Sequence, residues 1–395
     1  MRLIYSLLLA CITFAAVAQP TNKRYGAEPL HSKSRREWQK TDRPAIMRFF
    51  QEEIYGIQPP TQPTVEFRLV GEGMSLSEKV IRREVEMCIG GTTKAQILIY
   101  LPRDHRGRVP AFLAMNFHGN HTTSYDPEIT ISPAAPNSNQ RGSSSSRWPV
   151  EMITEAGYAV VTLYRGDIDP DFDDGFQNGI HPHFYADGQS RPHTNEWGTI
   201  GAWAWSLSRV MDYLERDDDI DHKRVAVVGH SRLGKTALWA GAQDDRFAIV
   251  ISNDSGCGGA ALSSRKMGET VEKINTSFPH WFCDNFNRYN NNEEALMVDQ
   301  QGLIALIAPR PVYVASASLD AWADPEGEFL AALYATPIYE LYGKQGLNTD
   351  QLPNIDTPIG DGHIGYHLRQ GKHDITAYDW QQFINFANRH FRRHR

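Results

Sequence analysis

Apolar and polar positions change period several times along the chain, and those changes delimit its elements. Three runs, Thr64–Val70, Val80–Cys88 and Ala95–Leu101, alternate or are β-branched, as antiparallel edge strands would be. From Pro110 onward the apolar runs become continuous. Pro110–Phe117, Tyr158–Tyr164, Arg224–Gly229, Phe247–Ser252 and Pro311–Ala317 predict strands buried on both faces. Helical spacing takes over between them. Gly198–Glu215 puts Ile200, Trp203, Ala204, Leu207, Val210, Met211 and Leu214 on one stripe, and Trp148–Ala156, Leu233–Gln243, Glu328–Tyr342 and Ala377–His390 also predict helices. Arg48–Tyr55 predicts a short helix, preceded by a polar segment, 19–45, expected to wrap the surface. Strands alternating with helices imply an α/β protein with a mostly parallel sheet sandwiched by helices. Residues 122–147 and 165–196 predict long loops, which in compact enzymes tend to be functional or mobile. No internal repeat or linker divides residues 19–395, so a single domain is expected.

The first eighteen residues follow another logic. Met1-Arg2, an apolar run from Leu3 to Val17 and the small-x-small end Ala16-Val17-Ala18 predict a signal peptide, residues 1–18. The run is short for a membrane span and no second apolar segment follows it. Leu8-Leu9-Ala10-Cys11 loosely resembles a lipidation box, but the apolar run continues past Cys11. A secreted or periplasmic location, with no membrane attachment after cleavage, is the expectation. The 395 residues are 41% hydrophobic and 22% charged, which suits a packed core and argues against disorder. A net charge of −7 with no basic run excludes nucleic acid as a natural partner. Cys88, Cys257 and Cys283 remain after the leader. They allow at most one disulfide, with Cys257–Cys283 the nearer pair and buried free thiols the alternative.

Candidate chemistry centres on Gly229-His230-Ser231-Arg232-Leu233-Gly234-Lys235, between a predicted strand and a predicted helix. A tight turn there exposes the serine hydroxyl, and the helix start offers N–H groups and positive dipole to an oxyanion. The second glycine stands three residues after the serine, where the generic Gly-x-Ser-x-Gly pattern has it two after. A serine that merely caps a helix is the plainer alternative. The rest of the constellation favours catalysis, because acid and histidine candidates follow in the order such sites use. Asn253-Asp254-Ser255-Gly256 and Ser318-Leu319-Asp320-Ala321-Trp322-Ala323-Asp324 each follow a strand, and Gly371-Lys372-His373-Asp374 precedes the last helix.

With those segments the chain resembles the glucuronoyl esterases, carbohydrate esterase family 15, of the bacterial type, from about residue 25 to the C-terminus. The resemblance rests on Gly-His-Ser-Arg-Leu-Gly-Lys at 229–235, Asn-Asp-Ser-Gly-Cys-Gly-Gly at 253–259, Gly-Glu-Thr at 268–270, Phe-Pro-His-Trp-Phe at 278–282, Asp-Ala-Trp-Ala-Asp-Pro at 320–325 and Gly-Lys-His-Asp at 371–374. It implies an α/β-hydrolase fold and a serine esterase that cleaves esters between (4-O-methyl-)glucuronic acid on xylan and lignin-type alcohols. Ser231 matches the nucleophile and His373 the base. The acid matches Asp254 on the fungal pattern and Asp320 on a bacterial one, and both are expected near His373, either able to orient it. Asp324 is expected to hold its loop. Arg232 matches an oxyanion-stabilising arginine, and Lys235, Glu269 and Trp322 match groups that meet the sugar. A surface ion pair, solvated helix charges and a core tryptophan are the respective plain alternatives. Fungal members commonly join cysteines beside the serine and the histidine. His230 and Asp374 stand there instead, and are expected side by side as a possible hydrogen-bonded pair.

The implied reaction needs no cofactor, and the implied partner is a uronic acid ester of a plant cell-wall polysaccharide. The cluster Asp167, Asp169, Asp171, Asp173 and Asp174 misses calcium-loop spacing and reads as a solvated or locally hydrogen-bonded loop. His118, His121, His181, His183 and His193 lack a zinc pattern, so no metal is expected. No feature demands an oligomer, and a monomer is expected. An acetylxylan or other carbohydrate esterase on the same fold is the main rival. A prolyl-oligopeptidase-type peptidase would bring propeller repeats, which are absent from the sequence, and a non-catalytic polysaccharide-binding protein would not need the Ser, Asp and His together.

Overall fold

The structure is a computed structural model that describes residues 25–391, so the leader read at residues 1–18 lies outside the described residues. The strands are β1 (Val65–Ser75), β2 (Val80–Ile89), β3 (Thr93–Pro102), β4 (Val109–Asn116), β5 (Ala159–Tyr164), β6 (Ile220–His230), β7 (Ile249–Asn253), β8 (Val312–Ala317) and β9 (Ile364–Arg369). They form one nine-stranded sheet in the order β1-β2-β3-β5-β4-β6-β7-β8-β9. The pairs from β1 to β5 are antiparallel. From β5 across to β9 every pair is parallel.

The continuous apolar runs are explained by two cores. Adjacent residues of one strand serve opposite faces: Val227 packs with Trp203, Trp239 and Phe329, whereas Val228 packs with Phe112, Ile251 and Trp380. Helices Thr199–Leu214, Arg232–Gln243 and Pro325–Glu340 cover the first face. Helices Val150–Glu155 and Ala377–Phe391 cover the second. Each fully buried aliphatic or aromatic side chain contributes about 1.5–3 kcal/mol, so both layers are needed to hold the central strands in register.

Three readings are corrected here. The 19–45 segment is not simply a surface wrap, because helix begins at Arg35 and runs, part α and part π, to Ile54. It buries Trp38, Ile46, Phe50 and Ile54, anchors that are too widely spaced to form an obvious stripe. Strand β9 was not anticipated, because Gly365, His367 and Arg369 interrupt its apolar pattern. These polar groups are buried because Asp379 of the last helix accepts from His367 Nε2 at 2.8 Å and from Arg369 Nε at 2.9 Å. Cys257 and Cys283 do not pair. Both are buried free thiols, and burial pushes both up, Cys283 to about 12. The Cys283 N–H donates to the Ile54 carbonyl at 3.0 Å, and the Cys257 carbonyl accepts from Lys235 at 2.7 Å.

Candidate active site

Neighbouring parallel strands lie about 4.8 Å apart, so residues just past their carboxyl ends are brought together whatever their separation in sequence. Ser231 follows β6, Asp254 follows β7, Asp320 lies past β8 and His373 past β9. Ser231 has φ 57° and ψ −130°, a conformation non-glycine residues avoid, and it caps helix Arg232–Gln243. Its N–H donates to the Asn253 carbonyl at 2.8 Å, which ties the turn to the neighbouring strand. The displaced glycine has a steric reason. A Cβ at Gly229 would lie 1.8 Å from the Leu233 carbonyl oxygen, and one at Gly234 would lie 2.9 Å from Ser255 Cβ. The helix therefore crosses its neighbours at Gly234, and the position before it holds a buried leucine.

His373 Nδ1 donates to Asp320 Oδ2 at 2.6 Å. That bond fixes the tautomer with Nε2 free to take a proton. The loops that carry Asp320 and His373 are also joined through their backbones: Leu319 N donates to Gly371 O at 2.8 Å and Ser318 N to Arg369 O at 2.9 Å. Donor and acceptor atoms of Asp254, Asp320 and His373 all lie within 4.8 Å of one another. Both aspartates thus lie near His373, as expected, but only Asp320 is hydrogen-bonded to it. Asp254 Oδ2 accepts from Arg369 Nη2 and from the Asp374 N–H, both at 3.3 Å. Burial, with Glu328, Asp320 and Asp379 nearby, holds the Asp254 carboxyl well above the usual range despite Arg369.

The expected His230–Asp374 pair does not form. Asp374 Oδ1 pairs with Arg147 at 2.7 Å. His230 Nδ1 donates to Asn253 Oδ1 at 2.8 Å, and its ring packs on His373 with centroids 4.6 Å apart. Burial, then the neighbouring His373 and Arg147, hold the His230 imidazole well below its usual range, so it presents a neutral ring to the base. Among the described residues, no hydrogen bond joins the Ser231 hydroxyl to His373. Such contacts are often loose before substrate binds.

Arg232 turns from the helix start to an ion pair with Asp171. Its guanidinium lies 4.6 Å from the Trp281 ring centroid and 5.3 Å from that of Phe278. The solvated reading of the acidic cluster fails for its first three members. Asp167 meets Ser132, and Asp169 accepts from Thr199 at 2.5 Å and His181 at 3.0 Å. Asp171 additionally accepts from His280 at 3.1 Å and Trp281 at 2.7 Å and forms an ion pair with Arg165 at 3.1 Å. Asp173 and Asp174 do make local turn bonds. Sequence reading missed Asp171 and Arg165 because their partners at 232, 280 and 281 share no local spacing. The Phe-Pro-His-Trp-Phe segment was the available signal.

Lys235 is buried, and its ammonium donates to Ser255 O at 2.5 Å, Cys257 O at 2.7 Å and Glu269 Oε2 at 3.5 Å. It is not a solvated helix lysine, and Glu269 is buried with it. Trp322 is 53% exposed, at the rim and not in the core, with Lys273 Nζ 5.2 Å over its ring. Its carbonyl accepts from the Glu269 N–H at 3.0 Å, which joins rim and buried pair. Asp324 caps helix Pro325–Glu340 through Gly327 N at 3.1 Å and pairs with Arg265 at 2.8 Å. A cavity of about 740 Å³, walled in part by Ile131, Tyr164, Phe172 and Asn178, meets this site through Arg165 and Asp171.

Residues 118–343, more than half of the chain, match the profile of the family described as glucuronyl esterase, fungi. A curated relative, Carbohydrate esterase MZ0003 from an unknown prokaryotic organism, is 48% identical over 373 residues, covering 90% of this chain and 86% of its own. The chain belongs to the glucuronoyl esterase family, carbohydrate esterase family 15. Solved structures of the family superpose over nearly the whole chain. A promiscuous CE15 esterase from a marine bacterial metagenome gives a TM-score of 0.84 at 47% identity, covering 91% of this chain and 93% of that one. The glucuronoyl esterase from Solibacter usitatus gives 0.88 at 41% identity, covering 94% and 99%. This family member therefore has the α/β-hydrolase fold, with its serine, acid and histidine segments at the carboxyl ends of successive parallel strands.

Proposed function

We propose that this chain is a serine esterase that hydrolyses (4-O-methyl-)glucuronic acid esters on xylan side chains, releasing lignin-type alcohols. The observation that carries the reading is the His373 Nδ1–Asp320 bond of 2.6 Å beside the strained Ser231 turn, with Arg232 directly following the serine. His373 Nε2 takes the Ser231 proton, and the oxygen attacks the uronate carbonyl. Arg232 and N–H groups at the helix start stabilise the oxyanion. His373 then protonates the departing alcohol, and water, activated by the same imidazole, releases the uronate from the serine. Glu269 beside Lys235, with Trp322 at the rim, offers the sugar a polar floor and an apolar wall. The leader at residues 1–18 would deliver the enzyme to the periplasm or outside the cell, where such esters are met.

Hydrolysis of benzyl glucuronate by wild type and its loss, by at least about 10³-fold, in a folded Ser231→Ala variant is the expected result. Retained turnover in that variant would end the serine reading. A broader ester scope is the second reading, favoured by the description of the marine relative as promiscuous. Comparable kcat/KM for benzyl glucuronate and p-nitrophenyl acetate would favour it.

A further inference from the structure

We infer that Asp171 is the positioning residue for Arg232 and thereby sets how strongly the oxyanion is stabilised; this rests on the proposed esterase reading. An unrestrained arginine side chain samples many rotamers, and a donor that must be reorganised during reaction contributes little. Arg232 is restrained on two sides. The Asp171 carboxylate takes its Nη1, and the Trp281 ring lies against the guanidinium at 4.6 Å. The two restraints are linked, because Trp281 Nε1 donates to Asp171 Oδ1 at 2.7 Å and its ring stacks on Phe278, 3.8 Å between centroids. His280 Nε2 donates to the same oxygen at 3.1 Å.

The charge arrangement suits the task. A lone Arg–Asp pair would cancel the charge that the oxyanion needs. Here Asp171 Oδ2 also forms an ion pair with Arg165 Nη2 at 3.1 Å, so one carboxylate is shared by two guanidinium groups and the cluster keeps a positive charge. Burial opposes ionisation of Asp171, but the His280 bond, Arg165 and Arg232 outweigh it and hold the carboxyl well below the usual range. The carboxylate is therefore ionised wherever His373 works as a base. The Arg232 side chain keeps 27% of its surface exposed, so the clamp leaves part of it open to a ligand.

The test is a double-mutant cycle on benzyl glucuronate. Asp171→Asn is expected to lower kcat roughly 10–100-fold with KM within about threefold, because an oxyanion contact is made only in the transition state. In an Arg232→Ala background the same change is expected to cost less than about twofold, and Asp171→Glu is expected to recover part of the rate. Equal losses in both backgrounds, or an effect on KM alone, would overturn the inference. If Asp171→Asn does not fold, Trp281→Phe serves in the same cycle, since it keeps a smaller aromatic face and removes the N–H that meets Asp171. A loss that vanishes without Arg232 supports the inference, and one that persists refutes it. Failure of the esterase reading would show separately, as wild type equal to Ser231→Ala.

Discussion

Two buried aspartates flank His373, and their bonds separate their parts. Asp320 holds His373 Nδ1 at 2.6 Å, whereas Asp254 faces Arg369 and the Asp374 N–H. Asp320→Asn would present an amide that favours the wrong tautomer, and kcat is expected to fall by about 10³–10⁴. Asp254→Asn is expected to cost less than about tenfold, because its carboxyl is already held towards the protonated form. Kinetics of both variants at neutral pH check the assignment, and an equal loss would reverse it. The segments of Ser231, Asp254, Asp320 and His373 were legible because their order places them after successive strands, but the sequence left open which aspartate bonds His373. His230–Asp374 was misjudged for want of one fact. Arg147, far away in sequence, reaches Asp374 first, and no spacing reports that.

At the scale of elements, the first turn of helix Pro325–Glu340 supports the loop that follows β7. Glu328, fully buried, accepts from Ser255 N at 2.7 Å, Gly256 N at 2.9 Å and the Ser316 hydroxyl at 2.6 Å. That loop supplies the carbonyls that hold Lys235. Burial pushes the Glu328 carboxyl from 4.5 up to about 7, against those bonds. The folded chain thus binds a proton between these two pH values that the unfolded chain has released. Stability is fully present below about pH 4.5 and is lost as pH rises towards 7, on the order of 3 kcal/mol from this group alone. Urea midpoints from pH 5 to 8 should show that loss in wild type and a flatter profile in Glu328→Gln. An unchanged slope would count against Glu328 as its source. Such polar burial also explains what sequence pattern left hidden: in β9 the apolar Ile364, Tyr366 and Leu368 alternate with Gly365, His367 and Arg369, and the last two are buried where Asp379 accepts from them.

Across the whole molecule the sheet was the most readable part, since two-faced burial writes continuous apolar runs into β4 to β8. The long loops were recognisable as loops, yet their internal bonds depend on tertiary neighbours. The fold is held without a disulfide among its described residues, since Cys88, Cys257 and Cys283 are free. A reductant should therefore leave Tm unchanged, whereas loss of a typical disulfide would remove about 2–4 kcal/mol. A thiol reagent should find Cys257 and Cys283 only after denaturation, with Cys88, half-buried on β2, the first to react. Prompt labelling of the buried pair in native protein would contradict this packing.

The stretch from Arg165 to Gly179 walls the large cavity and also supplies the carboxylate that clamps the arginine beside the nucleophile. Shape and speed are thus written on one piece of chain. On the proposed reading, a loop grafted from a relative to reshape that cavity would also bring its own residue to position 171, and with it its own setting of Arg232.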